Sequence, residues 1–411
     1  MEILYPRCAA IDVHKRTAVA AVGWVDAQGR RHRQVRTYAT MTADVERLRQ
    51  WFTEHGVTHV AMESTGVYWQ PLFNLLAEHF TVVRANAAHV QALPGRKTDV
   101  RDSEWLLELM QHGLIRGSCI PPAPIRELRE LTRYRTGLVE ERAREVNRVQ
   151  KVLEDANLKL AAVATDVLGV SGRLMPEAII AGETDPRALA ELAKGQLRKK
   201  RAALAQALHG RVRAHHRLLL RELLAHIDYL DGAIARVSAE IAARLEPFAA
   251  ELELLCSSAG VKRRVAEVLL AELGTDMSVW PSARHLCSWA ALCPGNRESA
   301  GRQRSGRTRR GNRWLKGVLL QAAWAATRVK GGYLGAQFRR LARRRGEKRA
   351  AVAVAHSILT IVYHVLQRRV PYHELGAAYF DRMEPARQAR YHWRRLAELG
   401  YEVPPEPRPA A

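Results

Sequence analysis

The first 85 residues alternate short apolar runs with polar turns, a pattern that predicts a sheet accompanied by helices. Strands are predicted where apolar residues run together or alternate with polar ones, at Cys8–Val13, Thr17–Trp24, Arg33–Ala39, Val57–Met62 and Thr81–Arg84. Thr42 can cap a helix carrying Val45, Leu48 and Trp51, and a second helix is predicted over Tyr68–Phe80. The pattern therefore describes a three-stranded meander followed by alternating helices and strands.

This order of elements is typical of an RNase H-like α/β domain, which we assign to residues 1–118. The next domain, which we assign to residues 119–249, begins with the run Pro121–Pro124. A long helical region follows this run and ends at Pro247. Its apolar residues are spaced alternately by three and four, which predicts a coiled-coil seam at Leu220, Leu223, Ile227, Leu230, Ile234, Val237 and Ile241. A less regular stripe from Leu128 to Leu160 could pair with this seam or with a second subunit.

Residues 250–372 are predicted to form a separate, mostly helical domain around a basic loop. Helices are expected over Trp314–Thr327 and Ala350–Leu366. A C-terminal extension, 373–411, ends in the proline-rich stretch Pro404–Pro409, which we expect to be disordered. The predicted fold class is thus α/β plus α.

Composition points to a polyanionic partner. The 411 residues include 65 Lys and Arg against 42 Asp and Glu, a formal charge of +23 with a pI near 10.4, which favours nucleic acid. We find no 18-residue apolar run and no signal segment, so we expect a soluble, cytoplasmic protein without a membrane partner. The five cysteines form no CxxC pair and are expected to be reduced and buried.

Four carboxylates lie where a metal site could form. Asp12 ends the first predicted strand, Glu63 follows the fourth, and Asp99 and Asp102 start a predicted helix on one face. Carboxylate oxygens suit Mg²⁺ or Mn²⁺, and two such ions can stabilise the attacking and leaving oxygens of a phosphodiester. The alternative is that these residues have structural roles only. Asp12 and Glu63 would then be polar residues at strand ends, and Asp99 and Asp102 a charge pair at the start of a helix. Acidic residues that end apolar strands are costly unless they face a site, which favours the metal.

The sequence around these carboxylates resembles the DEDD-type transposases of the IS110 insertion-sequence family. The motifs AIDVHK, MESTG and GRKTDVRD occur in that order, at Ala10–Lys15, Met62–Gly66 and Gly95–Asp102. The resemblance implies a RuvC-like fold in which the four carboxylates bind divalent metal. Lys97 and Arg101 are candidate phosphate contacts, and solvated charge is the alternative for both.

The segment Ala259–Leu270 (AGVKRRVAEVLL) resembles a helix-hairpin-helix element, whose turn amides bind a phosphate without reading sequence. Gly260 and Lys262 are therefore candidate nucleic-acid contacts. Lys262 stands where such hairpins usually have a second glycine. The alternative is a helical packing unit without nucleic-acid contact.

A serine nucleophile is predicted within an intensely basic loop. The stretch Glu298–Gly301 resembles the motif of the same family's C-terminal domain, in which a serine directly precedes glycine, although here Ala300 intervenes. We prefer Ser299 for its distance after Pro294, with Ser305 as the competing candidate. The hydroxyl could attack a phosphate whose charge nearby guanidinium groups neutralise. The candidate phosphate contacts are Arg302, Arg304, Arg307, Arg309, Arg310 and Arg313.

The resemblance implies a transposase that cuts and rejoins DNA, with Ser299 linked covalently to a DNA end while the metal-bound carboxylates support attack and release. Implied partners are the element's DNA ends, target DNA and a structured guide RNA. Because a predicted coiled coil separates the two catalytic parts, we expect a homodimer or tetramer. One rival is a junction-resolving, metal-dependent endonuclease that hydrolyses with water and needs no serine. The other is an architectural nucleic-acid-binding protein with structural carboxylates.

Overall fold

A computed structural model of the chain describes residues 2–64, 66–85, 90, 102–115, 117–118, 120–295, 297–299, 301–383 and 385–402. The chain divides into two compact units, Met1–Pro121 and Pro122–Ala411. Asp99, Lys97, Arg101, Cys119 and the stretch Pro404–Pro409 lie outside the described residues, so the predictions made for them stay predictions.

The first unit is built on a mixed five-stranded sheet. Its strands are β1 (Arg7–Val13), β2 (Thr17–Val25), β3 (Arg31–Ala39), β4 (His59–Ser64) and β5 (Thr81–Arg84). They lie in the order β3-β2-β1-β4-β5, with β1, β2 and β3 antiparallel and β1, β4 and β5 parallel. The predicted sheet is confirmed, and this topology is compatible with an RNase H-like domain.

Helices pack on both faces of this sheet. Helices α1 (Thr42–Glu54) and α2 (Trp69–Leu76) share a core with Ala9, Ile11 and Val13 of β1. The alternate residues of β1, Cys8 and Ala10, face the other way and pack against α3 (Asp102–Gln111). This is expected because successive side chains of a strand point to opposite faces. The predicted cap at Thr42 is wrong, because Thr42 is already helical and its neighbour Met41 stands at the cap position without a side-chain hydrogen bond.

Strand β3 forms one edge of the sheet. Almost all of its residues are exposed, and the sequence RHRQVRTYA supplies three arginines and a histidine. Among the residues that the structure describes, this strand pairs with β2 alone, so its outer backbone groups form an edge of the sheet.

The second unit is helical apart from one ribbon. Its two longest helices, α4 (Ala123–Asp155) and α9 (Ala214–Arg244), pack against each other in antiparallel fashion. The core groups together Leu128 with Ile241 near one end, Leu138 with Leu230 in the middle, and Leu153 with Leu220 at the other end. The predicted seam therefore finds its partner within the same chain.

Shorter helices complete the second unit. Between the long helices lie α5 (Leu160–Val163), α6 (Val170–Ala181), α7 (Pro186–Glu191), a 3₁₀ turn (Gly195–Lys200) and α8 (Arg201–Ala207). After them come α10 (Ala249–Cys256), α11 (Arg263–Leu273), α12 (Ala283–Trp289), α13 (Arg313–Thr327), α14 (Tyr333–Arg345), α15 (Glu347–Arg368), α16 (Tyr379–Met383) and α17 (Pro385–Glu398). One core joins Ile125 and Ile241 to Leu255, Leu319 and Leu359. The predicted boundaries at 249 and 372 stay predictions.

Two features differ from the sequence predictions. Helix α15 is long and apolar enough, by length and composition, to cross a membrane. The sequence predicted no apolar run of 18 residues. Ten of its residues are buried in the protein, including Val354, Ile358 and Leu359 in the main core. Cys256 is exposed rather than buried, while Cys8 and Cys287 are buried as expected.

Candidate active site

Two of the predicted metal ligands are direct neighbours across the sheet. Asp12 on β1 and Glu63 on β4 are register partners in a parallel pair. Paired residues in neighbouring strands project to the same face, with backbones about 4.8 Å apart. Both residues lie near the carboxyl ends of their strands, so the carboxylates share one edge of the sheet.

The third described carboxylate belongs to the helix that covers this face. The face of the sheet that carries Asp12 and Glu63 also carries Cys8, Ala10 and Ala61. These three residues pack against Leu106, Leu107 and Met110 of α3. Small alanines allow the helix to approach the sheet closely. Asp102 is the first residue of α3, so all three carboxylates belong to one side of the sheet.

The direction of α3 brings Asp102 toward the same end. The carbonyl of Gln111, the last residue of α3, accepts hydrogen bonds from the backbone N–H groups of Leu4 and Tyr5, at 2.9 and 3.1 Å. These residues precede β1, so α3 runs antiparallel to β1. Its first turn therefore points toward the strand end where Asp12 lies. A helix N-terminus also favours carboxylates electrostatically.

His14, in the AIDVHK motif, has no role predicted from the sequence but lies beside Asp12. Its Nε2 lies 3.1 Å from Oδ2 of Asp12, and its side chain is more than half exposed. The spacing of two residues along an extended chain was the available signal, since it places both side chains on the same face. His14 thus borders the carboxylate group.

The basic loop forms a short ribbon that the sequence reading missed. Strands β6 (Arg297–Ser299) and β7 (Arg302–Ser305) pair antiparallel, with Ser299 opposite Arg302 and Arg297 opposite Ser305. Gly301 has φ +70°, as a tight turn requires. Ser299 therefore lies beside the turn and Ser305 at the base of the ribbon. For both serines and Arg304 the structure describes the backbone alone.

The ribbon is anchored where its two strands leave the helical body. Pro294 bridges to Thr308, and the Gly295 N–H donates to the Arg307 carbonyl at 3.0 Å. Lys316 donates to the Thr308 hydroxyl at 2.7 Å. The predicted phosphate contacts whose side chains are described are all exposed, namely Arg302, Arg307, Arg309, Arg310 and Arg313. They present positive charge along and beyond the ribbon.

The helix-hairpin-helix resemblance corresponds to α10, a turn and α11. Gly260 in the turn has φ +82°, and a Cβ added there would lie 2.3 Å from the Ala322 carbonyl oxygen of α13. The glycine is therefore required for packing between helices. Lys262 is exposed at the N-cap of α11. Whether either residue contacts nucleic acid stays a prediction.

A second group of possible metal ligands was not foreseen. Asp155 at the end of α4 lies beside His215 and His216 in the first turn of α9, and their ligand atoms fall within 4.8 Å of one another. His216 Nε2 is 2.8 Å from Asp155, while its Nδ1 accepts from the Arg213 N–H. This bond to His216 lowers the pKa of Asp155. Since Nδ1 accepts, Nε2 carries the proton and is not free to bind a metal.

Comparisons with known proteins assign both parts of the chain. Residues 9–158 match a family described as a transposase of the DEDD IS110 type. Residues 252–339 match the family described as "Transposase IS116/IS110/IS902 family". The first match contains Asp12, Glu63 and Asp102, the second contains the hairpin turn and the ribbon, and together they cover more than half of the chain. No curated protein matches the chain significantly.

Proposed function

Because the chain belongs to the IS110 family of transposases, we propose that it recombines DNA through a serine-linked intermediate and with the help of a divalent-metal site. The observation that carries the proposal is the placement of Asp12, Glu63 and Asp102 on one face and toward one end of the sheet. A structural role would not require three acidic residues from separate segments to face the same way.

The donor set fits Mg²⁺ or Mn²⁺. The three carboxylates offer hard oxygen ligands and come from two strands and a helix terminus, and Asp99 is the fourth proposed ligand. Bound divalent ions would stabilise negative charge on the attacking and leaving oxygens of a phosphodiester. The chain's own contribution is to hold the carboxylates in register, which the β1–β4 pairing does.

Ser299 is the proposed nucleophile. Its Oγ would form an ester bond to the phosphorus of a DNA strand as the bond to the neighbouring nucleotide breaks, and that nucleotide would leave as an alcohol after accepting a proton. Attack by another DNA hydroxyl would reverse the exchange and rejoin strands without loss of the ester. The exposed Arg302, Arg307 and Arg310 would neutralise the phosphate.

The charge of the chain supports nucleic-acid partners beyond the reacting strand. A net charge of +23 supports binding of DNA ends, target DNA and a structured guide RNA by phosphate contacts. We also propose a cytoplasmic homodimer or tetramer, since recombination joins two DNA molecules and needs more than one nucleophile. Monomeric behaviour in the presence of both nucleic acids would count against this assembly.

The experiment that tests the proposal is a search for a covalent protein–DNA adduct. Purified protein is incubated with Mg²⁺, element-end DNA and RNA transcribed from the element's flanks, and the products are resolved under denaturing conditions. Ser299→Ala, Ser305→Ala and Asp102→Ala are run alongside. We expect an adduct with wild type and Ser305→Ala, and none with Ser299→Ala.

Other outcomes identify the rivals. Loss of the adduct in Ser305→Ala alone would move the nucleophile to the base of the ribbon. Cleavage without an adduct, unaffected by either serine variant, would indicate a hydrolytic junction-resolving nuclease. Binding without cleavage, unchanged in Asp102→Ala, would indicate an architectural protein.

A further inference from the structure

A buried carboxylate lies behind the serine ribbon. Glu272, in the last turn of α11, has a side chain with no exposed area. A buried carboxylate is strongly unfavourable unless its charge is matched and its oxygens accept hydrogen bonds. The partners of this group therefore indicate what the protein gains from keeping it.

Three segments converge on Glu272. The Arg133 guanidinium of α4 donates from Nε to Oε1 at 2.6 Å and from Nη2 to Oε2 at 2.8 Å, a bidentate pair. Asn312 donates from Nδ2 to Oε2 at 2.6 Å. Arg129 lies 3.6 Å from Oε2 and donates to the carbonyls of Ala271 and Glu272, which caps the end of α11. The carboxylate thus links α4, α11 and Asn312.

Asn312 is fixed from both sides of its amide. Its Oδ1 accepts from the backbone N–H groups of Trp314 and Leu315, each at 3.1 Å, and so caps α13. Because the oxygen faces the helix, the NH₂ group must face Glu272, and only an acceptor can satisfy it there. Glu272 therefore accepts a hydrogen bond from the residue at which the basic loop ends and α13 begins.

The same loop is held at its other end by the ribbon base. The Gly295–Arg307 hydrogen bond and the Pro294–Thr308 bridge join its two strands there. Between these contacts and Asn312, a Cβ at Gly311 would lie only 2.5 Å from the Cβ of Ala291. The backbone of Gly311 is thus packed against Ala291, and only three residues separate Asn312 from Thr308 at the ribbon base.

We propose that Glu272 is a positioning residue for the serine ribbon, acting through Asn312, and that Arg133 couples the ribbon to the long helix α4. The proposal rests on the proposed role of Ser299. A movement of the α4–α9 pair, for example on assembly, would then carry the ribbon with it.

Glu272→Gln tests the proposal, since it keeps the side-chain volume but presents an NH₂ group among donors. Glu267→Gln is the matched control. Glu267 lies on the same helix and is also buried, and among the described side chains it pairs with Arg135 and Arg263 and with none from the loop. We expect adduct formation to slow by about tenfold to a hundredfold in Glu272→Gln and by less than about threefold in Glu267→Gln. DNA affinity should change little in either, so the loss falls on kcat rather than on KM.

Asn312→Ser separates positioning from helix capping. Serine also caps helices well but is too short to reach Glu272. The adduct rate should fall as in Glu272→Gln, and the double variant should be no slower than either single variant, because both remove the same link. Equal slowing by Glu272→Gln and Glu267→Gln, measured below both unfolding transitions, would overturn the proposal.

Hydrogen exchange distinguishes failure of the positioning role of Glu272 from failure of the proposed serine chemistry. The amides of residues 306–316 should exchange faster in Glu272→Gln than in wild type or Glu267→Gln, whether or not any adduct forms. Unchanged exchange there would refute the positioning role by itself. Faster exchange with no adduct in wild type would refute only the serine chemistry and leave the link between Glu272 and the ribbon base supported.

Discussion

Asp12 and Glu63 stand side by side on neighbouring parallel strands, joined by register although a hairpin and a helix separate them along the chain. His14 contributes its Nε2 at 3.1 Å from Asp12 Oδ2 at the same strand end. A divalent cation bound there would offset the repulsion between the two carboxylates.

We predict that Asp12→Asn and Glu63→Gln each reduce DNA cleavage by roughly a hundredfold or more, because each removes a charged ligand from a site that stabilises phosphoryl charge. Glu46→Gln on α1, an acidic residue on the other side of the sheet, is the control. Cleavage at the wild-type rate in either site variant would remove that carboxylate from the proposed site.

Gly260→Ala should lower the free energy of unfolding by about 2 to 5 kcal/mol, because alanine is strained at φ +82° and its Cβ would collide with the Ala322 carbonyl. Gly182→Ala is the comparison, since Gly182 has φ +111° with open space around it, and should cost about 1 kcal/mol. Denaturant unfolding measures both. Equal losses would show that the α10–α11 turn can move away from α13.

The cysteines should react unequally with iodoacetamide. Burial raises the pKa of Cys8 to about 12 and that of Cys287 to about 11. Desolvation also raises the pKa of Cys256, but this thiol is exposed to the reagent. The thiolate is the nucleophile, so mass spectrometry after brief treatment at pH 8 should find Cys256 modified and the two buried thiols intact. Early modification of Cys8 would mean that the sheet opens readily.

The raised pKa values of Cys8 and Cys287 also predict how the free energy of unfolding changes at alkaline pH. A thiol with a raised pKa holds its proton more tightly in the folded protein, so the unfolded state loses protons first as pH rises above 9. The free energy of unfolding should therefore fall between pH 9 and 12. Cys8→Ala should weaken this dependence.

Arg310→Ala should reduce DNA affinity equally for all sequences and lower the slope of log affinity against log salt by about 0.9, the effect of one lost phosphate contact. Arg187→Ala on α7, an equally exposed arginine away from the ribbon, should leave the slope unchanged. Filter binding at several salt concentrations measures both. An unaltered slope in Arg310→Ala would exclude that residue from the DNA contact.

The sequence predicted the sheet well because apolar residues mark its strands directly. All five predicted strands exist, and β5 has the predicted bounds. Register was harder to predict, since the pairing of Asp12 with Glu63 depends on β1 and β4 meeting after a long connection. The spacing of apolar residues could not decide whether the α9 seam packs against α4 of the same chain or against a second subunit. Both arrangements would bury the same residues of α9.

The ribbon and the Glu272 network escaped prediction for different reasons. Strands β6 and β7 are mostly arginine and other polar residues, so the alternation that reveals strands is absent. The burial of a glutamate cannot be recognised from its position in a helix, and α11 buries both of its glutamates, Glu267 and Glu272. The burial of Glu272 follows from tertiary partners, Arg133 and Asn312, that are distant in sequence.

The polar edge strand β3 also has a consequence for aggregation. An open edge invites a strand from another molecule, and two sheets meeting edge to edge through β3 would bring Arg31, Arg33 and Arg36 of one copy against those of the other. Like charges in apposition disfavour such pairing. The charge on β3 thereby disfavours the joining of several copies of this chain into one continuous sheet.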